Sequence, residues 1–455
     1  MKFNIYIKYL IISIIFLVKF IFAGIKSNDV TQIRHPNVWA LVNATIILNP
    51  DRIQYNSSLV IRDGFIDMIG ENILIPKDAT IIDMSGNTIY PGFIDSWVKL
   101  PSKQNESHLN GVHLNNKVRV HKNISHLFNP ADLKLDKFHK IGFTTAHIVP
   151  DSGVFQGNSS VVQLNDSRTV LNPQIAQNLA FEVEGWRGKK YPSALLGVVA
   201  LIRQTIIDAN WYYLANEKIE KFPLYNDLPV LNLDLKILGS WIYEDYPIIF
   251  ESNDELSALR SFEIAKEFDL NIWIKGSGYE YRRIKEFKDQ DPFIILPINY
   301  PVTPDLSNPY QELSYSTSEL KHWDIAPDNP AKLEQNNIQF SLTSHEVTSK
   351  EFRRNLNRSI NRGLSKSAAL AALTTIPAKK FGLHNKLGKI EKGYIANLTI
   401  VSGDYFEDGS DIVSVWINGD EYPVIPKHDV KVVGKWDLTI MGNKYLLEFS
   451  QSSGQ

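Results

Sequence analysis

Residues 90–100 read YPGFIDSWVKL. A Pro-Gly turn at Pro91-Gly92 releases an apolar run that starts at Phe93, the signature of a buried strand. In an α/β protein the C-terminal end of such a strand carries the chemistry. Here that end holds Trp97 and Lys99. Neither binds a divalent cation at neutral pH, because the indole nitrogen is a donor only and the lysine amine is protonated. The strand is built like the frame of an active site, yet it lacks metal-binding side chains.

Upstream, residues 39–48 (WALVNATIIL) form a strand rich in β-branched residues. Residues 51–56 read as a turn. Residues 58–62 and 65–69 make a hairpin across Asp63-Gly64. Two short strands at 79–83 and 88–90 flank Ser85-Gly86-Asn87. Downstream, apolar strands at 144–149, 248–250, 270–274, 293–298 and 338–343 alternate with helical stretches at 194–216, 254–267 and 365–374. Ser365 is a fitting N-cap for the last, Ala-rich helix. Strand-helix alternation over about 280 residues predicts parallel β/α units, an α/β fold of the (β/α)8 TIM-like barrel type.

Strands return at 387–390, 398–401 and 413–417, which predicts a small β-sandwich module assembled from both chain ends. The expected domains are 24–92 with 381–425 for this module and 93–380 for the barrel. Residues 426–455 form a C-terminal β hairpin turning at Met441-Gly442-Asn443, too short to stand alone.

The 455 residues, 44% hydrophobic and 22% charged, suit a globular protein with a large core. A formal net charge of −2 gives no general reason to bind nucleic acid, and zero cysteines exclude disulfides, thiolate metal sites and a thiol nucleophile. Residues 1–23 read as a signal peptide. Lys2 and Lys8 precede an apolar run over 9–18, and Ala23 offers a cut site. Export to the periplasm or outside the cell is therefore expected, the alternative being a retained N-terminal anchor. Lys19 interrupts the apolar span that a membrane helix of about 20 residues wants.

Three stretches give the chain a resemblance to the amidohydrolase superfamily, from about residue 39 to 423. They are YPGFIDSWVKL, IGFTTAHIVPDSGVFQGNSSVVQL (141–164) and ALAALTTIPAKKFGLHNKLGKIEKGYIANLTIVSGD (369–404). The second is like that of an exported bacterial, imidazolonepropionase-like or prolidase-like branch. The third is the most specific, through its order of Thr-x-x-Pro-Ala, Gly-Leu and Gly-x-Ile-x-x-Gly. The resemblance implies a barrel with one or two divalent metals, zinc or another, that activate water to hydrolyse C–N bonds.

The family's ligand positions hold other residues here. Trp97 and Lys99 replace the histidine pair of the first strand. Glu251 stands for a histidine at the end of PIIFE, Lys275 for one before Gly276, and His345 for the aspartate of Thr-Ser-Asp. A bridging carboxylate would be Glu182 or Glu184. Lys99 and Lys275 would each repel a metal by roughly 3–4 kcal/mol per unit of cation charge at ~4–6 Å and an effective dielectric near 20. The resemblance therefore implies a vestigial pocket of Trp97, Lys99, Glu184, Lys275 and His345 with no metal and no cofactor.

The chain then reads as a pseudoenzyme that acts by binding, as a partner of an active amidohydrolase homologue or half of a larger assembly. An alternative is hydrolysis of peptide or non-peptide C–N bonds by a rearranged site using Glu251 and His345 with Glu182 or Glu184. A third class binds a small anion through Lys99 and Lys275, which also suit a Schiff base. His108, His113, His121, His126, His139 and His147 cluster in sequence, but their spacing shares no helical face. The bland reading of Trp97 is an indole that plugs the volume of a lost metal site. Asn397, where the family has an acidic residue, reads as structural.

Overall fold

The computed structural model describes residues 37–101, 110–183, 191–223, 229–304, 315–426, 434–440 and 443–449. Residues 1–23, expected to be a signal peptide, and Glu184 lie outside the described residues.

Both chain ends build one sheet. β1 (Val38–Asn49), β2 (Arg52–Arg62), β3 (Phe65–Gly70), β4 (Thr80–Asp83) and β5 (Asn87–Pro91) come from the N-terminal side. β16 (Leu398–Ser402), β17 (Ile412–Ile417) and β18 (Asp420–Pro423) come from the other. The order is β18-β17-β16-β5-β1-β2-β3, with β4 paired to β1. These eight strands are hydrogen-bonded in one connected sheet, in which β1 pairs in parallel with β4 along its first half and with β5 along its second. Its β2–β3 turn places Asp63 at φ 50 and Gly64 at φ 83, the left-handed pair that Asp-Gly supplies in a two-residue hairpin. Residues 51–56 are not a loop: the β1–β2 hairpin runs on to Asn49 and Arg52, absorbing its irregularities as bulges.

The central strands form two further sheets. β6 (Phe93–Leu100) pairs in parallel with β7 (Phe143–Pro150). β11 (Gln177–Ala180), β12 (Ile248–Glu251), β13 (Ile272–Lys275), β14 (Phe293–Pro297) and β15 (Phe340–Thr343) run parallel in a second sheet. Helices connect them, notably Leu195–Lys221, Glu255–Phe268 and Ile284–Gln290. Among the described residues these strands are hydrogen-bonded as two sheets, and no closed eight-strand barrel is detected.

The physical reason lies at the two seams. On one side, β8 (Phe155–Asn158) and β9 (Ser160–Gln163) insert as antiparallel partners of β11 and β7. The short β10 (Val170–Asn172) pairs with β9. The sequence after β7 turns back on itself at once, so β7 and β11 are separated. On the other side, β6 and β15 are tied by side chains. Asp95 accepts hydrogen bonds from Thr343 Oγ1 (2.7 Å), Ser344 Oγ and Ser344 N.

The eight-stranded sheet docks on the central strands through Gly142 (φ 101), where an added Cβ would meet Thr399 Cγ2 at 2.6 Å and the Phe93 ring at 2.9 Å. Asn397 fastens the same contact: it donates to Thr145 Oγ1 and accepts from Asn418 N. β19 (Gly434–Ile440) and β20 (Asn443–Phe449) form the C-terminal hairpin as a separate two-stranded sheet.

Candidate functional site

Alternate residues of the parallel strands point inward, so each strand contributes to stacked layers. One layer is apolar: Ile94, Trp97, Val149, Ile249, Trp273 and Ile295 share one buried cluster. The next residues inward along the same strands are Lys99, Asp151, Glu251, Lys275 and Pro297. Together with Glu182, His345 and Glu346 they line a cavity of about 700 Å³.

The layers separate the expected site residues. Lys99, Glu251, Lys275 and His345 come together in the cavity, whereas Trp97 does not line it. Its indole is 1% exposed, 6.2 Å from the His147 ring, and its Nε1 finds no acceptor among the described residues. It fills the layer beneath the cavity floor.

Within the cavity most charges are already engaged. Lys99 Nζ lies 2.6 Å from Glu251 Oε1. Glu182 holds Lys117 Nζ at 2.6 Å and accepts from Gly153 N, and its carboxyl is lowered although burial opposes it. Asn299 Nδ2 donates to Glu346 at 3.0 Å. Glu346 takes φ 63, a strained angle for a residue with a side chain, directly after His345.

His345 Nε2 stands 3.6 Å from Glu346 Oε1, and its imidazole is pushed down to about 4, by burial first and by Lys275 next. Lys275, across the ladder from Glu251, is 6% exposed. Burial drives its amine below the ordinary lysine value. Glu251 and Glu346 oppose the shift, and Lys99 adds to it.

A divalent cation needs three or four convergent donors. The positions that would offer them hold a buried indole, two lysine amines and a glutamate closed by one of those amines. Among the described residues no three His, Asp or Glu side chains converge to hold a metal ion. The residues present do not fit that group.

Sequence reasoning missed several neighbours. Lys117 comes from the segment before β8 and could not be assigned to Glu182 by spacing. The cavity wall formed by Tyr279 stacked on His322 (3.7 Å between centroids), with Arg282 over the Tyr279 ring, carries no motif. His322 is lowered to about 4 by burial and by Arg282. In the histidine-rich stretch His108 lies outside the described residues, and the described members take separate roles. Asp234 accepts from His121 Nδ1 and from the backbone of His113 and His121. His139 is buried with Nε2 against Leu164 O.

Residues 335–422, which run from the approach to β15 through β18, match the sequence profile of the amidohydrolase family. An amidohydrolase from Thermotoga maritima superposes with a TM-score of 0.68 at 24% identity, covering 84% of this chain and 98% of that one. A Xaa-Pro dipeptidase with methionine in its active site gives a TM-score of 0.50 at 14% identity, covering 85% and 100%. A prolidase in complex with N-methylphosphonate-L-proline gives 0.50 at 15%, covering 85% and 99%. The curated amidohydrolase tasK of Hapsidospora irregularis is 42% identical over 57 residues, 12% of this chain. The match spans only 6% of that relative's length. These similarities and the architecture define an amidohydrolase-fold protein.

Proposed function

We propose that this amidohydrolase-fold protein is silent in metal-dependent hydrolysis and acts by binding, as the partner of an active homologue. The observation that carries the reading is the Lys99–Glu251 pair at 2.6 Å. Two residues at positions where the family resemblance places metal ligands satisfy each other instead. Breaking such a pair to admit a cation would leave an ammonium beside the metal, a cost of several kcal/mol at an effective dielectric of about 20. Export through residues 1–23 belongs to the same proposal and rests on the sequence pattern alone.

The rival reading, a rearranged hydrolase, needs Glu251, His345 and Glu182 to act on one water. In its support, all three line one cavity. Against it, Glu251 is held by Lys99 and Glu182 by Lys117. The deciding measurement is elemental analysis of the purified protein joined to a turnover assay on dipeptides and cyclic amides. Substoichiometric metal and no turnover support the binding reading. One tightly held zinc or manganese per chain, with turnover lost in His345→Ala, would overturn it.

A further inference from the structure

We infer that Lys275 is a nucleophilic amine that captures a small aldehyde or ketone in the cavity as an imine. The inference deepens the proposed binding role, since it rests on a cavity free of metal.

Three structural observations support it. First, Lys275 is 94% withdrawn from solvent in an otherwise polar wall, being 6% exposed. Among the described residues its amine forms no ion pair within 4 Å and no hydrogen bond, although Glu251, Glu346 and Glu280 act on it from farther off. A lysine kept out of water without a counter-ion is costly unless the amine is neutral. Second, it lines a cavity of about 700 Å³ that also contains Lys99, Glu251 and His345, so a ligand of modest size can reach it. Third, Lys99 stands in that cavity already joined to Glu251, while Glu251 is the cross-strand neighbour of Lys275. A second cation beside a desolvated lysine is an arrangement that activates an amine. The downward shift of Lys275 from 10.5 agrees with this geometry.

The step balances without a further reagent. The Lys275 Nζ lone pair adds to the carbonyl carbon, and the carbonyl π electrons take up a proton at oxygen. The nitrogen gives a proton back, so the pair Lys99–Glu251 is placed to lend and recover one. The carbinolamine then expels its hydroxyl as water and a C=N bond forms. Amine and carbonyl become imine and water. The groups that face Lys275 and set its titration are Glu251 on β12, Lys99 on β6, His345 and Glu346 after β15, and Glu280 after β13. Among ligands, a phosphate dianion is disfavoured because Glu251 and Glu346 border the same space, whereas a neutral carbonyl meets no such repulsion.

The test uses the full chain after treatment with a chelator, at neutral pH, with acetylacetone as the probe. Its first adduct rearranges to a stable enaminone, seen by mass spectrometry as one probe gained less one water. Each unit by which an amine falls below 10.5 raises its free-base fraction at neutral pH about tenfold. Lys275 is therefore expected to label faster than any other lysine. Lys275→Arg abolishes the adduct while keeping a cation, and Lys99→Met slows it, because Glu251 is released to pair with Lys275.

Thermal melts establish that both variants fold, and should either fail to fold, the labelling pH profile of the unaltered chain decides. Its midpoint is expected below the ordinary lysine value, because burial disfavours the ammonium. Labelling of Lys275 no faster than of exposed lysines, or a midpoint at the ordinary lysine value, would overturn the inference. Stoichiometric metal in the untreated protein would instead sink the proposed function, leaving labelling to judge Lys275 separately.

Discussion

Lys99 and Glu251, 152 positions apart in the chain, meet at 2.6 Å on the inner ends of β6 and β12. Their side chains are 28% and 11% exposed, so the pair is neither a surface contact nor a dry one. It joins the four-stranded central sheet to the six-stranded one across the cavity.

Removing one partner exposes what the pair contributes. Lys99→Met leaves the Glu251 carboxylate without its cation and is expected to lower unfolding free energy by about 1–3 kcal/mol. Lys99→Met combined with Glu251→Gln should recover much of that loss. Urea unfolding of the two singles and the double provides the cycle, and additive losses would contradict a coupled pair.

The histidines make stability fall in mild acid. His345, His147 and His322 are each pushed down to about 4, while an unfolded histidine takes a proton near 6.5. Between those values the unfolded chain binds protons that the native state refuses. Stability is therefore fully present above about pH 6.5 and declines as pH drops toward 4. Replacing His345 with Gln should make that slope shallower by up to about 1.4 kcal/mol per pH unit. Thermal melts between pH 4 and pH 7 measure it, and an unchanged slope would show that His345 titrates normally.

Asp95 acts as the clasp between β6 and β15. It is fully buried and pushed upward by that burial, and it accepts from Trp97 N, Thr343 Oγ1, Ser344 N and Ser344 Oγ. Asp95→Ala strands several buried donors at once and is expected to cost about 2–5 kcal/mol. Thr343→Val removes a single donor and should cost less. The order of the two denaturation midpoints is the check.

Trp97 predicts a clean division between packing and chemistry. Trp97→Ala opens a void in the apolar layer below the cavity and should cost about 3–5 kcal/mol. Trp97→Phe keeps a six-membered aromatic ring and loses the smaller remainder of the indole, including an N–H that has no acceptor among the described residues, so it should cost less. Neither change touches Lys275 directly. Acetylacetone labelling of Lys275 is therefore expected to persist in Trp97→Phe, and its loss would place the indole in the cavity wall after all.

Several features were legible because they are local. The β2–β3 hairpin follows from Asp63-Gly64, and the helix Lys366–Leu373 begins at Ser365, whose side chain accepts from Ala368 N. The positions of Lys99, Glu251, Lys275 and His345 were legible through motif order, and all four line one cavity. Trp97 was harder to place, because alternation along a strand puts it on the same face as Lys99 but one layer deeper. The engagement of Glu182 by Lys117 was invisible, since nothing in spacing links position 117 to 182.

By itself, the sequence determined the succession of strands and helices, the joining of both chain ends in one β module, and the lysine and tryptophan residues at the ends of central strands. These depend on periodicity, turn chemistry and residue identity, all carried within a few residues. Only the tertiary structure decided that the central strands are hydrogen-bonded as two sheets, that Glu251 answers Lys99, and that Lys275 forms no ion pair within 4 Å among the described residues. Those outcomes depend on which side chains distant in the chain share a small desolvated space. There, a difference of a few ångströms separates a satisfied ion pair from a free amine.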